Sequence, residues 1–242
     1  MNIDYSIIIP AWNEEQCLGN TLTQIKQSMQ DFSLSGEVIV VDNNSTDETA
    51  ALAQAQDVTV VFEPINQISR ARNRGAKEAQ GKYLIFIDAD TLLTPQLLLI
   101  ALDNLQSEQC SGGGAEVRFD ESGSGLARSG VRLWNWLAHH IGLAAGCFVY
   151  CRRDAYDAIG GFSEKVYASE EIWFSRGLRQ WGKKHGMSFC LISEVAVVSS
   201  SRKLQWFNPL QQILLVLLLT VFPFAVRFKW LCGFWYKRPK KS

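Results

Sequence analysis

Tyr83-Leu84-Ile85-Phe86-Ile87-Asp88-Ala89-Asp90-Thr91 is the stretch that decides how this chain is read. The unbroken apolar run from Tyr83 to Ile87 predicts a buried β-strand. At its end stand two carboxylates one residue apart, Asp88 and Asp90, able to reach one divalent metal directly or through its waters. A hard ion such as Mg²⁺ or Mn²⁺ takes oxygen ligands and is commonly shared with substrate phosphates. The motif therefore points to chemistry on a diphosphate-bearing substrate. Two acids on a solvated loop are the other reading of so short a pattern.

Working outward, three more apolar runs of β type precede it: Tyr5–Ile9, Glu37–Val41 and Val58–Phe62. Between them, Glu14–Met29, Asp47–Gln56 and Ser69–Ala79 have helical composition and spacing. Pro64 and Gly81 punctuate the connections, and Thr94-Pro95 opens a helix over Gln96–Leu105, proline suiting a first helical turn. Strand-helix-strand repetition implies right-handed crossovers and a Rossmann-like, mainly parallel α/β sheet flanked by helices. Ligands of such sheets sit beyond the carboxyl ends of the strands. Asn13 and Glu14 follow the first strand, Asp42 the second, and Asp88 and Asp90 the fourth, so the polar residues converge there.

The second half changes character. Gly112-Gly113-Gly114 leads into an expected strand, Ala115–Phe119, then a glycine- and serine-rich loop through Gly125. Arg132–Leu143 is expected to be helical and carries Trp134, Trp136, His139 and His140, for which packing or acceptor-side lining is favoured over metal binding. Cys147–Cys151 reads as a short strand, Glu170–Trp181 as a helix opened by two acids, and Val195–Ser199 as a strand.

With 242 residues, the chain suffices for one α/β domain or one domain plus a short appendage. Its 24 basic and 24 acidic residues balance, which argues against a nucleic-acid partner. Six cysteines in mostly apolar surroundings form no C-x-x-C pair, and Met1-Asn2-Ile3-Asp4 lacks signal-peptide shape. Reduced thiols in a cytoplasmic protein are expected.

Other α/β chemistries fit poorly. The turn after the first strand, Pro10-Ala11-Trp12-Asn13-Glu14-Glu15, lacks the glycines of a dinucleotide site and brings negative charge towards a pyrophosphate. No G-x-x-x-x-G-K-[ST] occurs. Phosphatases with an aspartate nucleophile expect Thr or Val two residues beyond the second Asp, where Leu92 stands. Taken together, the motifs resemble the family 2 glycosyltransferases, of the A-type nucleotide-diphospho-sugar transferase fold. The segments that match are Pro10–Glu15, Val40–Asp47, Ala71–Ala76, Ile85–Asp90, Gly160-Gly161-Phe162 and Glu170-Glu171, in the family's order between about Tyr5 and Trp181.

The resemblance implies metal-dependent transfer of a sugar from a nucleotide diphosphate donor to an acceptor hydroxyl, usually with inversion. It sets the nucleoside against the first two strands, with Pro10, Ala11, Asn13, Glu14 and Asp42 as donor contacts. Only Asp42 inherits a role at a place where the family often has two acids, because Asn43 follows it. Of Arg70, Arg72 and Arg74, which cannot all face one way on a helix, Arg70 is taken as the donor contact. Asn73 joins the donor set or supports the loop. Asp90 is the first metal ligand and Asp88 the second, or a contact to the donor ribose. Glu171 is the implied base, with Glu170 its neighbour; the family's usual Glu-Asp is Glu-Glu here. Arg202 is placed to close over the phosphates. A nucleotidyltransferase of related fold is the enzymatic alternative, although its glycine-rich basic loop is missing. A scaffold that kept the fold without catalysis is the other alternative.

Residues 1–205 are expected to form the catalytic domain, its donor half ending near 118 and its acceptor half spanning 119–205. Residues 206–242 form a hydrophobic appendage. Leu210–Val226 is mostly Leu, Val and Phe, interrupted by Gln211, Gln212 and Pro223, and is shorter than the roughly 20 apolar residues of a spanning helix. Arg227, Lys229, Lys237, Arg238, Lys240 and Lys241 follow it, mixed with Trp230, Phe234, Trp235 and Tyr236. A hydrophobic helix lying in the cytoplasmic face of a membrane is expected. That position adds a lipid-linked hydroxyl to the candidate acceptors.

Overall fold

The computed structural model describes residues 3–30, 32–120, 125–202, 206, 211 and 223–236. Four strands, β1 (Tyr5–Ala11), β2 (Gly36–Asp42), β3 (Thr59–Phe62) and β4 (Tyr83–Ile87), lie parallel in the order β3-β2-β1-β4. Helices α1 (Leu18–Met29), α2 (Thr49–Gln54) and α3 (Ile68–Glu78) connect them. After β4 come β5 (Thr91–Leu92), α4 (Pro95–Gln106), β6 (Cys110–Phe119), α5 (Gly125–Ile141), β7 (Phe148–Arg152), α6 (Arg153–Ile159), α7 (Glu170–Lys184) and β8 (Ser188–Ser199). The sheet continues β4-β7-β6-β8-β5, with β7 antiparallel to both neighbours and β5 antiparallel to β8. Most strands therefore share one direction, as the crossover pattern required.

Sequence periodicity explains the layers. Along β4, Tyr83, Ile85 and Ile87 join one core with Leu18 and Leu22 of α1 and Leu97 of α4. Leu84 and Phe86 join the opposite core with Ala71 of α3 and Phe174 and Leu178 of α7. Both faces are covered, so the strand has no polar alternation. Each such buried side chain contributes about 1.5–3 kcal/mol relative to exposure. Gly75 lets α3 settle on the sheet: a Cβ there would lie 2.4 Å from Ile8 Cγ2. Thr94 caps α4 by accepting the Leu97 N–H at 3.2 Å, with Pro95 in the first turn.

Several boundaries differ from expectation. Helix α1 starts at Leu18 rather than Glu14, because the Glu14 N–H donates to Thr49 Oγ1 at 2.8 Å and residues 14–17 close as a turn. The three glycines expected as a lead-in lie inside β6. A Cβ on Gly113 would sit 1.8 Å from the Cys190 carbonyl, so glycine is what permits β8 to approach. Strand β8 is correspondingly longer than Val195–Ser199. Strand β5 and helix α6 were not anticipated. All six cysteines are free.

Beyond Arg202, a 3₁₀ turn (Pro223–Arg227) and a short helix, α8 (Gly233–Tyr236), are described. Most of Leu210–Val226, where the hydrophobic helix was expected, lies outside the described residues. Among the described residues, no helix is long and apolar enough to cross a membrane.

Candidate functional site

The carboxyl ends of β1, β2 and β4 open onto a cavity of about 100 Å³. Pro10, Ala11, Trp12 and Glu14 line it from the first strand's turn, Asn43, Asn66 and Ile68 from β2 and the approach to α3, and Asp88 and Ala89 from β4. Tyr236 lines it from the C-terminal segment. A larger hollow of about 560 Å³ lies at the opposite, amino ends of β2 and β3, between residues such as Lys26, Gly36 and Thr59. The smaller cavity has the chemistry, because the motif residues and the strands' carboxyl ends meet there.

Asp88 is fixed by its own backbone, its N–H donating to the Cys147 carbonyl at 3.1 Å and its carbonyl accepting from Thr91 at 3.1 Å. Arg72 then holds its side chain. It projects from the buried stripe of α3, with Ser69 and Ala76, and is 1% exposed. One guanidinium nitrogen donates to Glu170 Oε1 at 2.5 Å; the other donates to Asp88 Oδ1 at 3.0 Å and to the Gly146 carbonyl at 2.7 Å. The Phe162 ring lies beneath it, 5.1 Å from the guanidinium carbon. Burial alone would lower the Arg72 pKa; Glu170, Asp88 and Glu171 outweigh it and hold the pKa above the usual value.

Helix α7 presents the two acids from its first turn, directly after Ser169, whose φ of 59° is unusual for a residue with a side chain. Glu170 is buried against Arg72. Glu171 flanks Gly146 together with Arg72: a Cβ on that glycine would stand 3.6 Å from the Glu171 carboxyl and from Arg72 Nη2. Burial of its carboxyl, then the neighbouring Glu170, pushes the Glu171 pKa up to about 8. The two acids are thus unequal, one neutralised by a cation and the other held near neutrality.

Arg202 arrives through the unanticipated strand pair. Thr91 and Leu92 pair with Ser199 and Val198, and the Ser200 N–H donates to the Asp90 carbonyl at 3.1 Å. Arg202 thereby pairs with buried Glu14 at 2.5 Å, with Gln16 Oε1 at 3.3 Å, and lies 5.5 Å over the Trp206 ring. Its Nε, like that of Arg72, is buried and has no hydrogen-bond partner among the described residues.

The remaining expected residues bond to the surrounding loops and helices. Asn13 Oδ1 accepts from the Thr46 N–H at 2.8 Å, and Asp42 Oδ1 accepts from Ser45 at 2.9 Å, so both shape the loop after β2. Asn43, not singled out in the sequence, donates to the Glu63 and Ile65 carbonyls and accepts from the Gln67 N–H at 2.9 Å. Arg70 pairs with Glu63 at 3.2 Å and Glu164 at 2.7 Å. Asn73 bonds both backbone groups of Phe162 at 2.9 Å and accepts from Tyr156, securing the Gly160-Gly161 turn. His140 packs against Trp136 on α5, the two rings tilted and their centroids 4.4 Å apart.

Among the described residues, no group of three His, Cys, Asp or Glu side chains could hold a metal alone. Asp88 and Asp90 nevertheless fit Mg²⁺ or Mn²⁺. Such ions take one or two carboxylates and complete their shell with water and substrate phosphates.

A sequence model of glycosyl transferase family 2 matches residues 6–160, from β1 through α6. The chain belongs to that family. Glu170, Glu171 and Arg202 lie beyond the matched residues. A dolichol-phosphate mannosyltransferase of Pyrococcus furiosus is 26% identical over 171 residues, covering 65% of this chain and 44% of the relative. The chain spans less than half the length of that relative, and 24% of a Bacillus subtilis glycosyltransferase that matches at 36% identity. Among solved structures, Staphylococcus aureus TarS 1-349 superposes with a TM-score of 0.65 at 20% identity, over 83% of this chain and 61% of that one. The mannosyltransferase PcManGT of Pyrobaculum calidifontis, in complex with GDP-Man and Mn²⁺, gives a TM-score of 0.65 at 20% identity, over 83% and 57% of the two chains. The family 2 chain therefore has the A-type nucleotide-sugar transferase fold.

Proposed function

We propose that this family 2 protein is an inverting glycosyltransferase, moving a sugar from a nucleotide diphosphate donor to an acceptor hydroxyl. The observation that carries the reading is Arg72. One buried guanidinium ties Asp88, from the metal motif, to Glu170, from the acceptor-side acids, at 3.0 and 2.5 Å.

The nucleoside faces Pro10, Ala11, Trp12, Glu14 and Asn43, and the diphosphate extends towards Asp88, Asp90 and Arg202. A divalent ion held by Asp88 and Asp90 would supply charge neutralisation at the phosphates. Glu170 is spent on Arg72, which leaves Glu171 as the base; its pKa, raised to about 8, suits proton removal near neutrality. Glu171 accepts the acceptor hydroxyl's proton while that oxygen forms its bond to the anomeric carbon. The bond from that carbon to the diphosphate breaks, and the nucleoside diphosphate leaves with the electron pair beside Arg202. One displacement inverts the centre. Complexes of the structural neighbours with UDP, UDP-GlcNAc or GDP-Man support a nucleotide-sugar donor.

The reading includes a peripheral position on the cytoplasmic face of a membrane. Exposed Phe228 and Trp230 beside Arg227 and Lys229 support it, and it makes a lipid-linked hydroxyl one acceptor class to assay. Donor hydrolysis and transfer with Mg²⁺ or Mn²⁺ test the chemistry. Asp90→Asn is expected to abolish metal-dependent turnover. Glu171→Gln should spare nucleotide binding while turnover falls by about 10²-fold or more. Full activity in both variants would refute the assignment.

A further inference from the structure

The segment from Pro223 to Tyr236 has two unlike sides. Val226, Cys232 and Tyr236 pack on Val166, Ala168 and Tyr167, and the Tyr167 N–H donates to the Val226 carbonyl at 2.6 Å. That loop runs directly into Glu170, and buried Gln67 grips it through the Glu164 and Val166 carbonyls at 2.8 Å each. Tyr236 reaches further, into the wall of the donor cavity that Trp12 and Asp88 also line, where its hydroxyl accepts from the Ile68 N–H at 3.4 Å. The other side faces solvent. Trp230 is 74% exposed and Phe228 47%, and Arg227 and Lys229 are exposed between them.

Size decides what Tyr236 does. Sites for small-molecule ligands usually measure about 300–1,000 Å³, whereas this cavity holds about 100 Å³. With Tyr236 as one wall the cavity is smaller than such sites, and drawing the ring away would widen it. Among the described residues the segment is held by a small apolar cluster, set apart from the two main cores, and by two hydrogen bonds, the short one from the Tyr167 N–H to the Val226 carbonyl and the long one from the Ile68 N–H to Tyr236.

Charge decides what the exposed side meets. No acidic residue follows Glu194, while eight basic residues do, and the chain is neutral overall; the first 194 residues therefore carry an excess of eight acids. Aromatic rings mixed with uncompensated cations match an anionic lipid surface, into which rings insert at headgroup depth while cations meet phosphates. Lys229 links the two sides, its ammonium 5.2 Å over the Tyr236 ring.

We infer that residues 223–236 form a strap across the donor cavity, which an anionic bilayer draws off by binding Phe228, Trp230, Arg227 and Lys229, so that lipid binding opens the site to nucleotide. This rests on the donor-site reading above. Two ligands that favour the same open state must strengthen each other by the same factor.

The test uses the full chain, with UDP and GDP, each with Mn²⁺, as calorimetric probes. Vesicles of phosphatidylcholine alone, or mixed with phosphatidylglycerol, supply the surface. Expected is a nucleotide affinity about fivefold or more higher on the anionic vesicles, unchanged on neutral ones, with vesicle affinity rising by the same factor when nucleotide is present. Combined Phe228→Glu and Trp230→Glu should lose vesicle binding and the enhancement, but keep the vesicle-free nucleotide affinity. Tyr236→Ala should bind nucleotide tightly without vesicles and respond to them no further. Nucleotide binding that ignores anionic vesicles in the wild type, or that weakens in Tyr236→Ala, overturns the strap alone. Binding of neither nucleotide by wild type or Tyr236→Ala, on any surface, overturns the donor site and the strap with it.

Discussion

Arg72 and Arg70 stand two residues apart on one helix and hold opposite kinds of region. Around Arg72, itself buried, three acids from two distant elements meet: buried Glu170 and half-buried Glu171 opening α7, and half-buried Asp88 after β4. Around Arg70, about one-third exposed, buried Glu63 and exposed Glu164 make an ion cluster that opens to solvent. Water can replace a lost partner for Arg70 and Glu164, and is kept from Arg72 and Glu170. Equal-looking charges thus differ in consequence by where helical phase puts them, Arg72 on the stripe of Ser69 and Ala76 and Arg70 off it.

Removing the buried cation is expected to have the largest effect. Arg72→Gln leaves Asp88 and Glu170 facing each other without compensation, which typically costs about 3–5 kcal/mol. Urea denaturation should show that loss, together with turnover reduced by on the order of 10²–10³-fold as both acids lose their orientation. A variant with wild-type stability would mean that water already reaches the cluster, and the contrast between the two regions would collapse.

Glu171 offers a subtler probe of the same buried ground. Its pKa is about 8 in the folded protein, against an ordinary 4.5, so the native state holds the proton more tightly than the unfolded one. Its contribution to stability is complete below pH 4.5 and is lost as pH rises through 8. Glu171→Gln, which cannot ionise, should melt progressively higher than wild type across that window, with the two converging at its acid end. In the wild type, kcat/KM should rise with pH towards a plateau above about 8, where the base is free. Parallel melting curves for the two proteins would show that Glu171 ionises in water instead.

Much of this was legible in the sequence because it is local. The strands β1 to β4 are apolar runs long enough to read, and the acids following them fall at the carboxyl ends by topology. Asp88, Asp90, Glu170 and Glu171 could be named, but not their connection: β7 inserts between β4 and β6, and the Arg72–Glu170 pair spans 98 residues. The one available signal was Arg72 itself, a charged residue at the spacing of the small buried residues of α3. Strand β5, at two residues, is too short for any periodicity, yet it places Arg202. Tyr236 gave no signal either, since its place in the cavity comes from the fold of a segment whose composition suggests only an interface with lipid.

Arg70 closes the comparison with the smallest expected effect. Its charge and its place near the start of α3 resemble a donor contact, and the resemblance assigned it that role. In the structure both of its partners are carboxylates, and Glu63 keeps a second bond, from the Ile65 N–H at 2.9 Å, when the arginine is removed. An ion pair screened by solvent contributes about 0–1 kcal/mol. Arg70→Gln should therefore lower stability by no more than that, and calorimetry with UDP and GDP should find nucleotide affinity within about twofold of wild type, well short of the tenfold that 1.4 kcal/mol represents. A tenfold loss of affinity with unchanged stability would return Arg70 to the donor and show that Glu63 and Glu164 only hold it until nucleotide binds. Unchanged affinity leaves helical phase as the reason why, of two neighbouring arginines, only Arg72 belongs to the site.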